Sequence, residues 1–218
     1  MLGQTVDIII ELVANYLGII IIPIMTIILG RKVILERRQI KKLNMIRFII
    51  FCIFLTISWM LIWEFLYEST PLSDVLNPEL VISVSTFSFY SFGLVLMITL
   101  AISMVSYINR WESLYYISFF IFAGMFIVFL LTEIAIFLLP YVFTGGVIAV
   151  VFLFATGFKL KDNSSLGLAI FATLVFPTLI AEKTIVGQML SLAYPIFGLI
   201  FALGYFKLFK VGVVEQNE

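Results

Sequence analysis

The amino-acid sequence predicts an all-α fold, an integral membrane bundle of seven transmembrane helices with the N-terminus outside and the C-terminus cytoplasmic. Three observations carry that expectation. Of the 218 residues, 63% are hydrophobic and only 12% are charged, half the charged share of an ordinary soluble domain of about 25%. The apolar residues fall in runs long enough to cross a hydrocarbon core of about 30 Å, which takes about 20 helical residues. The bases, finally, recur in alternate connections between those runs.

The spans follow in order. The first, Ile8–Leu29, is bounded by acids on one side and RKVILERRQIKK on the other. The second is Met45–Leu66. A loop with helix-start character at Asn77-Pro78-Glu79 leads into the third, Leu80–Ile108. The fourth, Leu114–Leu139, and the fifth, Tyr141–Phe158, have no polar loop between them. Their joint is expected as a tight turn at Pro140 or at Thr144-Gly145-Gly146, because Pro and Gly break helices and about 45 apolar residues exceed one crossing. The sixth and seventh are Leu166–Ala181 and Ile185–Leu208. The chain is expected to form one membrane domain over residues 1–218, with no cleaved signal peptide and with the first span retained.

Orientation comes from Lys and Arg. Seven spans place Arg31, Lys32, Arg37, Arg38, Lys41, Lys42 and Arg47 on one side together with Arg110, Lys159, Lys161, Lys207 and Lys210. That is twelve of the 13 bases, with Lys183 outside the set. The positive-inside rule makes that side cytoplasmic, and six or eight spans would scatter the charges. A multi-pass protein of the cell membrane follows.

The composition also excludes chemistry. With no histidine, haem ligation through His, His-based zinc sites and His general bases are absent. Cys52 is the one cysteine, so there is no intrachain disulfide, and its place in FIIFCIFL is that of a small buried hydrophobe. No lysine stands midway along the last span to carry a Schiff base. No protease pair or clustered Asp motif for prenyl transfer is present. No enzyme activity, cofactor or metal is expected, and nucleic acid is not expected among the partners.

The polar residues inside the spans are the candidates for function. Asp7, Glu11, Asn15 and Gly18 share one helix face, as do Thr56, Met60, Glu64 and Glu68. Thr184, Gln188, Ser191, Pro195, Gly198 and Ala202 make a small or polar stripe down the last span, of the kind that packs membrane helices together. Glu133 stands in LLTEIAIFLLP with only apolar neighbours on its own face. An acid at mid-membrane costs about 2.5–3.5 kcal/mol on insertion scales, and an intramembrane acid is a functional-site candidate. These placements predict an outward-opening acidic pocket for a ligand or proton, enclosed by spans one, two, four and seven and lined by Glu11, Asn15, Glu64, Glu133 and Gln188, with Lys183 reaching down to it. Trp59, Trp63 and Tyr67, and Trp111, Tyr115 and Tyr116, fit interfacial aromatic belts.

The basic segment Arg31, Lys32, Arg37, Arg38, Lys41 and Lys42 admits three readings. It sets topology; it forms a short helix, ILERRQIKKLNMIR, lying on anionic lipid; or it docks a cytoplasmic partner. The N-out topology, this basic loop and an aromatic second span ending in acids, WMLIWEFLYE (Trp59–Glu68), resemble the seven-helix sensory modules that precede microbial histidine kinases. Without the kinase portion, the resemblance implies a sensor acting through another membrane or cytoplasmic signalling protein. The alternatives are a small proton- or cation-coupled transporter, supported by Glu133 and by Pro23, Pro177 and Pro195, and an accessory subunit of a larger membrane complex.

Overall fold

Backbone N–H and C=O groups in hydrocarbon have no water to bond, so an apolar chain of this composition satisfies them within helices. The computed structural model describes residues 2–69, 89–112, 115–132, 139–181 and 184–209. Among them it is all-helical, with seven α-helices: α1 Leu2–Ile40, α2 Met45–Ser69, α3 Phe89–Asn109, α4 Tyr115–Thr132, α5 Leu139–Lys159, α6 Asn163–Ala181 and α7 Ile185–Leu203. Four stretches are long and apolar enough to cross a membrane: Tyr16–Ile40, Met45–Trp63, Val142–Lys159 and Val186–Leu203. Val95–Asn109, Tyr115–Met125 and Asn163–Thr178 are shorter apolar helices.

Side-chain register fixes the direction of each helix. Thr26 meets Ser58 and Tyr16 meets Phe65, so α1 and α2 are antiparallel. A β-carbon added at Gly18 would stand 2.9 Å from the Tyr194 hydroxyl, and one at Gly198 would stand 2.5 Å from Met25 Cε. Both numbers rise together, so α1 and α7 are parallel. Ile98 lies against Gly145 and Asn109 against Thr156, so α3 and α5 are parallel too. Gly157 against Leu166, and Gly167 against Phe201, make α5–α6 and α6–α7 antiparallel.

The packing order is a closed ring, α1–α2–α3–α5–α6–α7, with the first helix against the last. Helix α4 sits outside it, and its main interface among the described residues is with α3. Its position follows from the ring: α3 and α5 run the same way, so the chain has to return between them, and α4 covers that distance. Phe54, Phe171, Met25 and Met104 fill the centre, with the rings of Phe54 and Phe171 4.9 Å apart. Between apolar helices in lipid, such close packing is the cohesive term, because exposure to lipid costs the side chains little.

Three boundaries differ from the sequence expectation, one of them the end of α7, which stops at Leu203 and not at Leu208 because Gly204 caps it in the left-handed conformation. The basic stretch after Leu29 is not a loop. It continues α1 as helix to Ile40, because Arg, Lys, Leu, Glu and Ile are adequate helix formers and no proline interrupts them. The helix therefore has 39 residues and a length of about 58 Å, beyond the roughly 40–45 Å of a whole bilayer. Helix α5 starts at Leu139, so Pro140 occupies its first turn, where a missing N–H is tolerated. Thr144-Gly145-Gly146 lies inside the helix, with the glycines buried against Ile98 and Phe176. The expected helix start at Asn77-Pro78-Glu79 lies outside the described residues.

Candidate functional site

The ring has two unlike ends and an apolar middle. At one end α1, α2 and α7 carry four of the predicted polar positions. The Gly18–Tyr194 contact sets the α1–α7 register, and stepping back six residues along both helices puts Gln188 level with Leu12. The Tyr16–Phe65 ring contact, 6.4 Å between centroids, sets Glu64 level with Leu17 in the antiparallel α1–α2 pair, and the Thr26–Ser58 contact sets it level with Ile20. Glu11, Asn15 and Gln188 thus sit within about a turn of one another, and Glu64 lies about half a turn to a turn and a half deeper than Asn15, on three consecutive helices of the ring. Of these, the Gln188 side chain is buried, on the stripe where Pro195, Gly198 and Ala202 are buried too. Thr184 caps α7, its hydroxyl accepting from the Gly187 amide at 3.1 Å. The side chains of Glu11, Asn15 and Glu64, and all of Glu133 and Lys183, lie outside the described residues. Helix α4, which leads to Glu133, is placed against α3 and not among α1, α2 and α7 by its main interface.

Between the ends, buried hydroxyls are spent on helix contacts. The Thr26 and Ser58 hydroxyls are 2.6 Å apart, and Thr26 Oγ1 is also 3.0 Å from the carbonyls of Ile22 and Phe54. Ser106 donates to the Ile102 carbonyl, and Asn109 donates to the Thr156 hydroxyl at 2.8 Å. A small cavity of about 50 Å³ lies between α2, α3, α5 and α6, lined solely by apolar side chains that include Ile53, Ala101, Ala149 and Leu168. That is well below the roughly 300–1,000 Å³ of ordinary small-molecule sites.

The other end gathers every described base: the alternating helix directions bring together the ends of α1, α3, α5 and α7 and the starts of α2 and α6. Arg31, Arg37, Arg38, Lys41 and Lys42 are exposed there, as are Arg110, Lys159, Lys161 and Lys207. Lys32 is different. Its ammonium donates to the Ala202 carbonyl at 2.7 Å, in the last turn of α7, where free carbonyls and the helix dipole favour a cation. Arg47 is paired with Glu36, joining α1 to α2.

Beyond α7 the chain turns at Gly204, whose φ of 88° is the left-handed conformation that glycine adopts without strain. Residues 204–209 then fold back as a strap. Phe206 packs on Phe197 and Phe201, and Phe209 on Phe158. Asn163 holds the strap with its whole amide group: Nδ2 donates to the Phe209 carbonyl at 2.8 Å, and Oδ1 accepts from the Leu208 and Phe209 amides at 3.0 and 2.9 Å. Asp162 meanwhile accepts from the Ser164 and Ser165 amides and starts α6.

The sequence reading missed Lys32 as a helix cap, the Glu36–Arg47 pair, the Thr26–Ser58 contact and the Asn163 clamp. Only Asp162-Asn163-Ser164-Ser165 carried a local signal, as a helix start; the partners of the others are remote in sequence. Among the described residues no group of His, Cys, Asp and Glu could hold a metal ion. No protein-family model, no curated protein and no solved structure matches this chain.

Proposed function

We propose that this protein is a polytopic, non-enzymatic, receptor-like membrane bundle that spans the bilayer seven times, with the basic end in the cytoplasm, and acts through a separate signalling protein. The observation that carries the reading is the division of the ring. Glu11, Asn15, Glu64 and Gln188 lie toward one end on three consecutive helices, an apolar cavity occupies the middle, and the opposite end is a basic surface tied together by side-chain bonds. A polar site at the outer end, with Glu133 a further candidate, has the composition to take a proton or a cationic ligand. The ties at the inner end, Lys32 to α7, Glu36 to Arg47 and Asn163 to the strap, link α1, α2, α6 and α7, so that a shift of one helix is passed to its neighbours.

A second reading, a small proton- or cation-coupled carrier, has one observation in its favour. Pro23, Pro177 and Pro195 lie in α1, α6 and α7, which are consecutive in the ring, and interrupted helices are common at transport sites. The apolar lining between α2, α3, α5 and α6 supports the receptor reading over this one. Crosslinking in native membranes followed by identification of the captured protein tests it. The receptor reading predicts recovery of a cytoplasmic signalling protein, in an amount that changes with Glu64→Gln. Proton- or cation-driven solute uptake into proteoliposomes containing the chain alone would contradict it.

A further inference from the structure

Helix α1 presents two unlike faces between Leu29 and Arg38. The inner face is committed to the bundle: Leu29 and Val33 are buried, Lys32 is bonded to the Ala202 carbonyl and Glu36 to Arg47. The outer face is the row Arg31, Ile34, Leu35 and Arg38, at the i, i+3, i+4, i+7 spacing of one helix face. All four side chains are exposed, with Ile34 at 54% and Leu35 at 44%.

Neither water nor hydrocarbon alone suits that row. A helix extension in water has no reason to set two large apolar side chains open between its arginines, and hydrocarbon does not accommodate two guanidinium groups. Both are at home in the headgroup layer, where Ile and Leu sink toward the acyl chains and long basic side chains reach out to phosphate. Of the described acids at this end, Glu36 is held by Arg47, Asp162 is engaged with the amides of Ser164 and Ser165, and Glu112 follows α3, which is not a neighbour of α1 in the ring. Lys41 and Lys42 add exposed positive charge at the same end.

We propose that Arg31 and Arg38, with Ile34 and Leu35 between them, form a binding site for the phosphate headgroup of an anionic phospholipid. The membrane surface then crosses α1 at residues 31–38, within about two and a half turns beyond Leu29. The basic segment meets lipid as an upright continuation of a spanning helix and not as a separate helix lying flat. The proposal rests on α1 spanning the bilayer, and uses the orientation given above only to assign the site to the inner leaflet.

The test is lipid retention by the full chain in nanodiscs of mixed phosphatidylglycerol and phosphatidylcholine, counted by mass spectrometry of the intact particles. Enrichment of phosphatidylglycerol is expected, with Arg31→Gln/Arg38→Gln lowering the preference about fivefold for each charge removed, hence about 25-fold for the pair. Ile34→Ser/Leu35→Ser is expected to weaken retention as well, and millimolar inorganic phosphate to leave it unchanged. If the arginine pair variant does not fold, judged by its melting curve, Arg38→Gln alone reads the same effect at about fivefold. Unchanged enrichment in the folded arginine variants overturns the proposal. So does displacement by inorganic phosphate with full retention in the Ile34/Leu35 variant, which would mean a free-phosphate site. Capture of an acidic protein at Arg38 without any lipid preference would make this a protein surface. Enrichment that persists while thiol labelling shows the basic end outside would overturn the orientation and leave the lipid site standing.

Discussion

Thr26 and Ser58 show how a hydroxyl can tie two apolar helices. Each is buried, and the contact bridges α1 to α2 next to the α1 turn that contains Pro23. In Thr26→Val the methyl group replaces the hydroxyl at equal size, so the loss is mainly of hydrogen bonding. Interhelical hydrogen bonds in membranes are worth about 0.6 kcal/mol on average and about 1.7 at most. A double-mutant cycle with Ser58→Ala, read by unfolding in detergent, is expected to return a coupling of that order; additive losses would contradict the contact. Glycines give a sharper contrast. A β-carbon at Gly157 would lie 2.9 Å from the backbone nitrogen of Leu166, while one at Gly124 meets nothing within 4 Å. Gly157→Ala should destabilise by about 1–3 kcal/mol, since backbone cannot give way as a side chain can. Gly124→Ala should be neutral or stabilise by up to about 1 kcal/mol, through helix propensity. None of these pairings was legible in the sequence. Thr26 and Gly157 are unremarkable in their own windows, and their significance depends on residues brought close only by folding.

Helices were more legible than contacts, because membrane helices are set by local apolar length and basic flanks. The exceptions have physical causes. Charge suggested an end to the first helix after Leu29, but charge does not end a helix, and the chain stays helical to Ile40. Gly145-Gly146 suggested a break, but inside a bundle the missing side chains admit Ile98 and Phe176 instead. Tyr205, Phe206 and Leu208 are apolar enough to extend the last span to Leu208. What stops the helix is Gly204 in the left-handed conformation, with its amide bonding back to α7. Asn163→Ala removes three hydrogen bonds that hold this strap, each worth about 0.5–1.5 kcal/mol. Hydrogen–deuterium exchange should then rise at the Leu208 and Phe209 amides and stay unchanged in α3. Continued protection of both amides would show that Phe206 and Phe209 packing alone holds the strap.

At the scale of the whole molecule, the alternation of helix direction was legible, through a property distributed over the entire chain. Bases recurring in alternate connections implied helices of alternating direction, and the contacts give α1 parallel to α7 and α3 parallel to α5. The ring order, with α4 outside, was not legible, since apolar helices of similar composition carry little information about which neighbours they choose. It also changes the candidate site: Glu11, Asn15, Glu64 and Gln188 belong to consecutive ring helices, whereas α4 belongs to the periphery. The central claim is that the chain weaves through the bilayer with all its clustered bases on the cytoplasmic side. The most direct test is labelling with a membrane-impermeant thiol reagent in a Cys52→Ala background, using single cysteines at Lys42, Lys161 and Thr184. Thr184→Cys should react in intact cells, and Lys42→Cys and Lys161→Cys only once the membrane is opened. Labelling of Lys42→Cys and Lys161→Cys from opposite sides, or of all three from one side, would contradict it.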